Sequence, residues 1–341
     1  MGPSFLPRLV NSPFDDPALF VPFRYQNRAM LFDLGDIASL SSRDILKITH
    51  IFITHTHMDH FVGFDRLLRI FLGRDKDLFL WGPQGFLANL EGKLAGYCWN
   101  LVEKYQNRFI LQAIELHPNR AIVKSYPCHN GFTANASIRE IPFDGTVLGE
   151  PGLTVSAVHL DHGIPVLGFA LHERFHINIM KGQLESLELK PGPWLNRFKA
   201  MLYSGADPQT PVEIPSPDHP GSELRFPLVE LQSAIARITP GQSLAYVADA
   251  AGTGENLKKI RDLSADVDHL FIEAAFSHAD RDIAERKRHL TARQAGEIAR
   301  SCRVRQYHLF HHSPRYADCP EMLEAEAEKA FKGHTTPTDE N

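Results

Sequence analysis

The sequence His55-Thr56-His57-Met58-Asp59-His60 follows directly on a run of β-forming residues, 48–54. After it, apolar residues recur at helical spacing over residues 61–72, with charged residues on the opposite face. The histidine cluster is therefore expected on a loop between the end of a strand and the start of a helix. Imidazole and carboxylate groups suit divalent metals such as zinc, and four such groups within six residues cannot all face one ion. The cluster predicts a two-metal site.

Further metal ligands are expected where other predicted strands end, because α/β proteins gather their sites at one edge of the sheet. The candidates are His162 after residues 153–158, Asp249 after residues 244–248, and His311 and His312 after residues 307–310. An aspartate can bridge two cations through its two oxygens, which suits Asp249. Taken singly, each of these residues is also compatible with an ordinary core or surface position.

Length and composition exclude several classes of protein. The chain has 341 residues, of which 43% are hydrophobic and 23% charged, the balance of a globular protein. No apolar run approaches the ~18–20 residues that span a bilayer, so no membrane association is expected. The cysteines form no Cys-x-x-Cys pair, which favours a reducing compartment, the cytoplasm, over a disulfide framework. A net charge of -5 gives no overall attraction to nucleic acid.

Short apolar runs alternate with helical patterns along most of the chain, which predicts a layered α/β domain over residues 1–341. Residues 205–227 break this rhythm, with six prolines and no periodicity. Before them, a helical pattern is interrupted by Pro191-Gly192-Pro193. We therefore expect residues 173–227 to form an insertion that projects from the domain as an arm, and residues 334–341 to form a disordered tail.

Taken together, these motifs resemble the metallo-β-lactamase fold, an α/β architecture with an αββα sandwich. The residues that carry the resemblance are the cluster at 54–60, His162-Gly163, Asp249 and the segment from Phe310 to Tyr316. Within that superfamily, two further stretches resemble ribonuclease Z, the endonuclease that trims the 3′ trailer from precursor tRNA. These stretches are Glu273 with His289, and residues 181–202 around Pro191-Gly192-Pro193, which are similar to the start of that family's substrate arm.

The resemblance implies a role for each motif residue. One zinc ion would be held by His55, His57 and His162, the other by Asp59, His60 and His311, and Asp249 would bridge both. His311 is preferred to His312 because it keeps the family spacing to Arg315 and Tyr316. Asp33 lies where the family has an aspartate that orients a ligand histidine; the alternative is a turn residue before Gly35.

The resemblance also implies a mechanism. Two zinc ions about 3.5–4 Å apart lower the pKa of a shared water and clamp a phosphodiester for hydrolysis by metal-activated hydroxide. Asp59 would accept the proton of that water, and His289, held by Glu273, would protonate the leaving 3′-oxygen. The alternative for Glu273 is a buried acid with another partner. Manganese and iron accept the same ligands as zinc. A homodimer is implied, in which the arm of one subunit serves the active site of its partner.

Several features leave the substrate open between precursor tRNA and another phosphodiester. Met58, Ala248, Ile272 and Leu290 stand where the family favours other residues. An RNA-binding arm should be basic, yet residues 173–227 hold six Lys or Arg against seven Asp or Glu. The arm residues carried over from the family are Lys181, Pro191, Gly192, Pro193 and Lys199.

Two other hypotheses about the function therefore stay open. The first is a small-molecule phosphodiesterase or another ester hydrolase of the same fold. The second is a non-catalytic, metal-stabilised RNA-binding protein. The basic residues around His289, which are 286–288 and Arg293, either steer a polyanion or form a solvated helix face. Trp194 and Phe198 either stack on bases or pack the arm's own core, and packing is the favoured interpretation.

Overall fold

The structure is a computed structural model that describes residues 4–24, 26–216, 219 and 221–333, so the predicted tail at 334–341 lies outside the described residues. One sheet holds eight strands in chain order within that range. They are β1 (Arg8–Leu9), β2 (Leu19–Pro22), β3 (Ala29–Phe32), β4 (Ile48–Phe52), β5 (Lys76–Pro83), β6 (Phe109–Leu116), β7 (Arg120–Pro127) and β8 (Arg139–Pro142). Strands β3 to β6 pair in parallel and the outer strands pair antiparallel.

A second sheet of six described strands has the order β18-β17-β16-β11-β10-β9. They are β9 (Thr146–Glu150), β10 (Leu153–Asp161), β11 (Pro165–Glu173), β16 (Ser243–Val247), β17 (His269–Glu273) and β18 (Gln306–Phe310). The last three strands pair in parallel, so their carboxyl ends meet at one edge.

Two strand pairs, eleven α-helices and four short 3-10 helices complete the described elements. Strand β12 (Phe175–Ile179) pairs with β15 (Ala236–Pro240), and β13 (Pro211–Pro215) pairs with β14 (Glu223–Pro227). The helices are α1 (Ser42–Lys47), α2 (Met58–Phe61), α3 (Phe64–Phe71), α4 (Phe86–Ala95), α5 (Lys181–Ser186), α6 (Trp194–Ser204), α7 (Leu228–Ile235), α8 (Gly254–Ser264), α9 (Arg281–Lys287), α10 (Ala292–Ser301) and α11 (Glu321–Phe331). No helix among them has the length and apolar character that a membrane span requires.

Alternate side chains of each large sheet face opposite layers, which is the basis of the sandwich. On the outer face of the first sheet, Ile51 and Leu80 pack in one core with residues of α3 and α4. On the outer face of the second sheet, Val247 and Ile272 pack with residues of α8, α10 and α11. The predicted αββα architecture is confirmed.

Aromatic rings fill the space between the two sheets. Phe32 and Phe52 stack with their centroids 4.9 Å apart, and Phe169 lies 5.5 Å from Phe52. Tyr246 stacks on Phe310 at 5.0 Å. These rings come from strands of both sheets, so they bring the strand ends of the two sheets to one place.

Helix α10 begins after the cap residue Thr291. The Thr291 hydroxyl accepts a hydrogen bond from the backbone N–H of Gln294, whose side chain returns to the backbone of Thr291. This reciprocal arrangement satisfies two N–H groups that the first helical turn leaves without partners. The cap fixes the start of α10 directly after His289 and Leu290.

The expectation of an unstructured segment at 205–227 is wrong in part, because β13 and β14 form a hairpin there. Its register runs from Pro211 opposite Pro227 to Pro215 opposite Glu223. Val212 and Ile214 are buried and alternate with exposed residues, the normal pattern of a strand with one covered face. The prolines fit because they lie at the ends of strands of a two-stranded sheet, where a missing N–H costs little.

By its internal contacts, the chain divides into two compact units. One consists mainly of Leu148–Thr154 and His172–Gln242 and contains the residues predicted to form the arm. Trp194 and Phe198 are buried in its core together with Val212 and Leu231, so the packing interpretation is confirmed. The unit runs on to Gln242 because α7 supplies core residues and β15 pairs with β12. The other unit holds the first sheet, most of the second sheet and the candidate site.

Candidate metal centre

The loop after β4 is held by close backbone contacts with the segment after β3. Leu34 N–H donates to the carbonyl of His60 at 3.0 Å, and Gly63 N–H donates to that of Leu34 at 2.9 Å. A Cβ on Gly35 would lie 2.6 Å from the carbonyl oxygen of Asp59. Only glycine permits this approach, so the two glycines fix the backbone that carries Asp59 and His60.

Three overlapping groups of donor atoms meet at the carboxyl edge of the parallel strands, and one of them consists of Asp249, Glu273, His289 and His311. We call the other two, which contain the predicted ligands, the donor groups. The first consists of His55, His57, His162 and Asp249, and its donor atoms all lie within 4.8 Å of one another. The second consists of Asp59, His60 and His311, under the same criterion. The structure therefore brings together every residue that the resemblance implies as a ligand, and their binding of metal stays a prediction.

Asp249 lies between these two groups, with one carboxylate oxygen toward each. Its Oδ2 is 3.6 Å from His55 Nε2 and 3.4 Å from His162 Nε2. Its Oδ1 is 3.4 Å from His60 Nε2 and 3.1 Å from His311 Nδ1. This is the geometry that a carboxylate bridging two cations requires.

A metal would satisfy atoms that otherwise have no partner. Within the described part of the chain, these buried atoms form no hydrogen bond: His55 Nε2, His60 Nε2, Asp249 Oδ1 and His311 Nδ1. Leaving buried polar atoms unpaired is costly, and four of them at one point are rare. The imidazole and carboxylate donors suit a divalent ion, so the residues present fit such a group.

Hydrogen bonds to the outer ring nitrogens orient the histidines. His60 Nδ1 donates to Asp33 Oδ2 at 2.8 Å, and His162 Nδ1 donates to the backbone carbonyl of Arg288 at 2.7 Å. His55 Nδ1 lies 3.1 Å from the Thr54 hydroxyl, which itself donates to Asp33 at 2.9 Å. With the proton on Nδ1, the Nε2 lone pair of each ring points to the centre.

Asp33 combines both interpretations that the sequence leaves open. It adopts a left-handed turn conformation with φ of 56° and is fully buried. Besides His60, it accepts hydrogen bonds from the backbone N–H of Thr54 at 2.7 Å and from the Tyr246 hydroxyl at 3.0 Å. It is therefore a turn residue whose carboxylate orients a histidine of the site.

Glu273 and His289 form a pair beside the two donor groups. His289 Nδ1 donates to Glu273 Oε2 at 2.8 Å, and Glu273 Oε1 accepts from the backbone N–H groups of Ala250 and Leu290 at 2.6 and 3.3 Å. The His289 ring lies 4.7 Å from that of His162 and 5.5 Å from that of His311. Burial acts to lower the pKa of His289, but the Glu273 carboxylate outweighs it and raises that pKa to about 9.

Burial and neighbouring charges also set the protonation of the donor groups. Burial, with His60 next to it, lowers the pKa of His55 to about 2, so this imidazole is neutral at pH 7. Burial alone would raise the pKa of Asp59, but the hydrogen bond with His311 and the charge of His60 lower it to about 2. The pKa of Asp249 is also lowered, because His311 and His60 outweigh its burial. The site thus offers anionic carboxylates and a neutral His55 imidazole. Burial acts to lower the pKa of His60 and His311, but Asp249 outweighs it and raises both, so these rings would release a proton when a cation binds.

A cavity of about 300 Å³ opens over this site and is lined by Asp59, His289 and His311 together with Phe14, Asp16 and Lys287. His312 also lines the cavity, but its Nδ1 donates to the carbonyl of Ala274 at 2.9 Å, and it belongs to neither donor group.

The basic residues near His289 lie in different environments. Lys287 lines the cavity, Arg288 pairs with Asp161 at 2.9 Å, and Arg293 pairs with Glu297 at 3.3 Å.

The residues carried over for the arm lie in the other compact unit. Lys181 is exposed at the first position of α5, and Pro191, Gly192 and Pro193 form the turn before α6. Lys199 is partly buried, and that burial lowers its pKa although Glu173 opposes the shift. Of these residues, Lys181 presents its charge fully to solvent.

Sequence reasoning missed four residues that orient the site: Thr54, Asp161, Tyr246 and Arg288. Thr54 and Asp161 directly precede the candidate ligands His55 and His162, and that adjacency is the one signal that could have found them. Tyr246 lies on an inward-facing position of a predicted strand, where an aromatic residue is normal. Arg288 stands in a basic run, which suggests solvent exposure rather than a structural contact.

The fold and the site together define a metal-dependent hydrolase with the metallo-β-lactamase fold. A metallo-β-lactamase-fold protein from Bacillus subtilis matches with a TM-score of 0.54 and 14% identity over 96% of this chain and 92% of its own. The long form of ribonuclease Z from yeast matches with a TM-score of 0.50 and 11% identity, covering 90% of this chain and 37% of its own. At these sequence identities, the two matches show the fold alone.

The sequence comparisons define the family within that class, although no family model matches the chain. It is 32% identical over 328 residues to the protein named Ribonuclease Z of Deinococcus radiodurans, covering 93% of either chain. It is 26% identical over 319 residues to the Ribonuclease Z of Methanosarcina acetivorans, covering 90% of this chain and 85% of the relative. The chain belongs to the ribonuclease Z family, and the resemblance seen in its motifs is confirmed.

Proposed function

We propose that this protein is an endoribonuclease that removes the 3′ trailer of precursor tRNA with two zinc ions. The position of Asp249 carries this proposal, because its two carboxylate oxygens face two separate groups of histidines. The similarity to proteins named Ribonuclease Z over nearly the whole chain supports RNA as the substrate. Zinc is favoured because imidazoles with a few carboxylates form its usual ligand set.

In this proposal, His55, His57 and His162 would hold one ion, Asp59, His60 and His311 would hold the other, and Asp249 would contribute to both. The chemistry that a bound pair of divalent ions supplies is a lowered pKa of water and a polarised phosphodiester. Asp59 is partly open to the cavity, and its carboxylate is ionised, so it can take the proton of the attacking water.

His289 delivers the second proton, to the leaving 3′-oxygen. It lines the cavity, and Glu273 keeps its pKa near 9, so the imidazolium form predominates at neutral pH. Glu273 itself is fully buried and held by two backbone N–H groups, so it orients the ring without contact with solvent. General acid catalysis of this kind typically raises the rate of a reaction by about 10²–10⁴-fold.

The partners follow from the same proposal. The unit that contains Lys181 and the Pro191-Gly192-Pro193 turn acts as the substrate arm, in a homodimer in which each arm serves the active site of the partner. The proposal includes a location in the cytoplasm, the reducing compartment that the spacing of the cysteines favours.

Cleavage of a precursor tRNA with a 3′ trailer, measured beside hydrolysis of bis-p-nitrophenyl phosphate, tests the proposal. The wild type should cut after the discriminator base, and His57→Ala should lose both activities. His129→Ala is the matched control, because His129 is an exposed histidine outside both donor groups, and it should behave as the wild type. Hydrolysis of the small diester with intact tRNA would instead establish a small-molecule phosphodiesterase. Metal binding without either activity would establish a non-catalytic metalloprotein.

A further inference from the structure

Arg288 has a backbone conformation that its residue type does not favour. It is the last residue of the turn that ends α9, with φ of 60°, and its N–H donates to the carbonyls of Ala284 and Glu285. Left-handed backbone at this position normally selects glycine or asparagine, since a side chain there is strained. The next residue is His289, the proposed proton donor. An arginine held in this strained conformation directly before a functional residue indicates that its side chain has a use.

Beyond its own helix, Arg288 contacts the segment that carries His162. Its backbone carbonyl accepts the hydrogen bond from His162 Nδ1 at 2.7 Å. Its guanidinium Nη1 donates to Asp161 Oδ2 at 2.9 Å. In addition, Gly163, with φ of 85°, lies so close that a Cβ there would be 3.2 Å from Arg288 Cδ. Two consecutive residues at the end of β10, Asp161 and His162, thus bond to this one arginine, and Gly163 leaves no room for a side chain beside it.

Hydrogen bonds hold Asp161 in place, so its ion pair with Arg288 can fix the position of that arginine. Its second carboxylate oxygen accepts from the backbone N–H of Gly163 at 2.8 Å. Its backbone N–H donates to Asn256 Oδ1 at 3.0 Å, and its carbonyl accepts from Asn256 Nδ2 at 2.8 Å. Asn256 is buried near the start of α8. The Arg288 guanidinium therefore binds to a rigid point, and the end of α9 is anchored through it.

We propose that Arg288 is a positioning residue that aligns the metal ligand His162 with the proton donor His289. The ion pair with Asp161 holds the end of α9 against the loop, and this places the Arg288 carbonyl where it fixes the His162 ring. The inference rests on the proposed function for the roles of the two histidines. It differs from the idea that this basic run steers a polyanion, because the Arg288 guanidinium is engaged by a carboxylate.

The loss of the Arg288 guanidinium should affect metal affinity more than stability, and this difference separates a positioning role from a structural one. Both partners of the ion pair are about half exposed, at 50% and 54%, and such pairs contribute little to the free energy of unfolding. Removing the guanidinium should therefore scarcely change the melting temperature of the metal-free protein. Loss of a contact that orients a ligand typically weakens metal binding about 10–100-fold, and we expect the lower end because the carbonyl itself remains.

The test measures the dissociation constant of Zn²⁺ by competition with a chromophoric chelator, with zinc alone as the probe, together with the melting temperature of the metal-free chain. Arg288→Ala should bind zinc about tenfold more weakly than the wild type. Arg288→Lys, which keeps a cation within reach of Asp161, should recover most of the affinity. Asp161→Asn should weaken binding similarly, and the double variant Asp161→Asn/Arg288→Ala should lose no more than either single change.

Arg303 provides a matched control in the same chain. It also has a left-handed backbone, with φ of 53°, and its guanidinium pairs with Asp266 at 2.8 and 2.7 Å, but it belongs to neither donor group. Arg303→Ala should leave zinc affinity unchanged. Wild-type zinc affinity in Arg288→Ala, or an equal loss in Arg303→Ala, would overturn the positioning role while the proposed function stands. A wild type that binds no zinc would overturn both.

Discussion

At the scale of single residues, the site is built from positive φ angles at strand ends. Asp33 directly follows β3, His311 directly follows β18, and Asp249 follows β16 by two residues, with φ of 56°, 60° and 43°. A left-handed residue turns the chain sharply as it leaves the sheet and aims the side chain across the edge instead of along the strand. The three strained residues thus lie where their side chains converge, and strained backbone is common at functional sites.

Asp249 is the residue on which the two-metal hypothesis depends. We expect Asp249→Asn to reduce bound zinc well below two equivalents per chain, because an amide nitrogen cannot ligate where the second carboxylate oxygen does. Asparagine tolerates the left-handed backbone, so the change tests charge and ligation rather than conformation. The measurement is metal content after dialysis.

Asp266→Asn is the control for this change. Asp266 is also a left-handed aspartate, with φ of 57°, but its partner is Arg303 and it belongs to neither donor group. It should retain the stoichiometry of the wild type. If Asp249→Asn also retained that stoichiometry, Asp249 would not be a ligand.

The role of His289 predicts a dependence on the leaving group. His289→Ala should slow cleavage of an RNA phosphodiester by about 10²–10⁴-fold, because the departing ribose oxygen needs a proton. Hydrolysis of bis-p-nitrophenyl phosphate should fall far less, since p-nitrophenolate leaves without protonation. The ratio of the two rate constants is the measurement, at metal concentrations that saturate each protein. Equal losses on the two substrates would remove His289 from the proton-donor role.

The residues of the candidate site could largely be predicted, whereas the residues that orient them could not. The cluster from His55 to His60 stands out by itself, whereas His162, Asp249 and His311 are singled out by their common position at strand ends and by the family resemblance. The contact of Tyr246 with Asp33 joins residues 213 positions apart, and that of Arg288 with Asp161 joins residues 127 apart. Such pairs exist only once the two sheets have packed, and neither residue type marks them beforehand.

At the scale of elements, regular patterns were predictive where one period dominated. Helix α3 shows apolar residues at helical spacing, and β18 covers the predicted run 307–310 with one residue more at its start. The hairpin of β13 and β14 was missed because its strands are five residues long and begin or end in proline, which masks the alternation of Val212 and Ile214. Short strands that pair only with each other give little pattern to recognise.

The contact between α10 and α11 gives a prediction about packing. A Cβ on Gly296 would lie 2.2 Å from the backbone carbonyl oxygen of Ala327, so neither helix could keep its position. Gly296→Ala should reduce the free energy of unfolding by about 1–3 kcal/mol through overpacking. Because α10 starts directly after His289, activity should fall together with stability. Urea unfolding at equilibrium measures the first effect.

Gly92→Ala in α4 isolates this effect from helix propensity. A Cβ on Gly92 would contact nothing within 4 Å, and the residue is exposed within the helix. The same substitution there should stabilise the protein by ~0.5–1 kcal/mol, since alanine favours helix over glycine. Similar stability changes at both positions would contradict the close approach of α10 and α11.

At the scale of the whole molecule, the unit around residues 172–242 has two properties of an element that can be removed on its own: a separate core and two paired strands. Its core consists of its own residues, among them Trp194, Phe198 and Leu231. Its β12 and β15 pair antiparallel from Phe175 opposite Pro240 to Ile179 opposite Ala236. A cut within 173–227, as the sequence suggests, would strip partners from α7 and leave apolar residues such as Leu231 and Ile235 uncovered. The register of β12 and β15 gives a better boundary.

Replacing residues 180–235 by Asn-Gly should remove the arm and leave a closed hairpin, because Ile179 and Ala236 face each other and Asn-Gly forms the two-residue turn that such strands prefer. The donor groups and the Glu273–His289 pair are untouched, so we expect metal content and hydrolysis of bis-p-nitrophenyl phosphate close to those of the wild type. Cleavage of precursor tRNA should be lost, because affinity for a large RNA comes from phosphate contacts away from the reacting bond. Sedimentation of the wild type and the shortened chain, with and without tRNA, reports dimer formation and RNA binding separately. Unimpaired tRNA processing by the shortened chain would mean that RNA recognition resides in the unit that carries the metal centre.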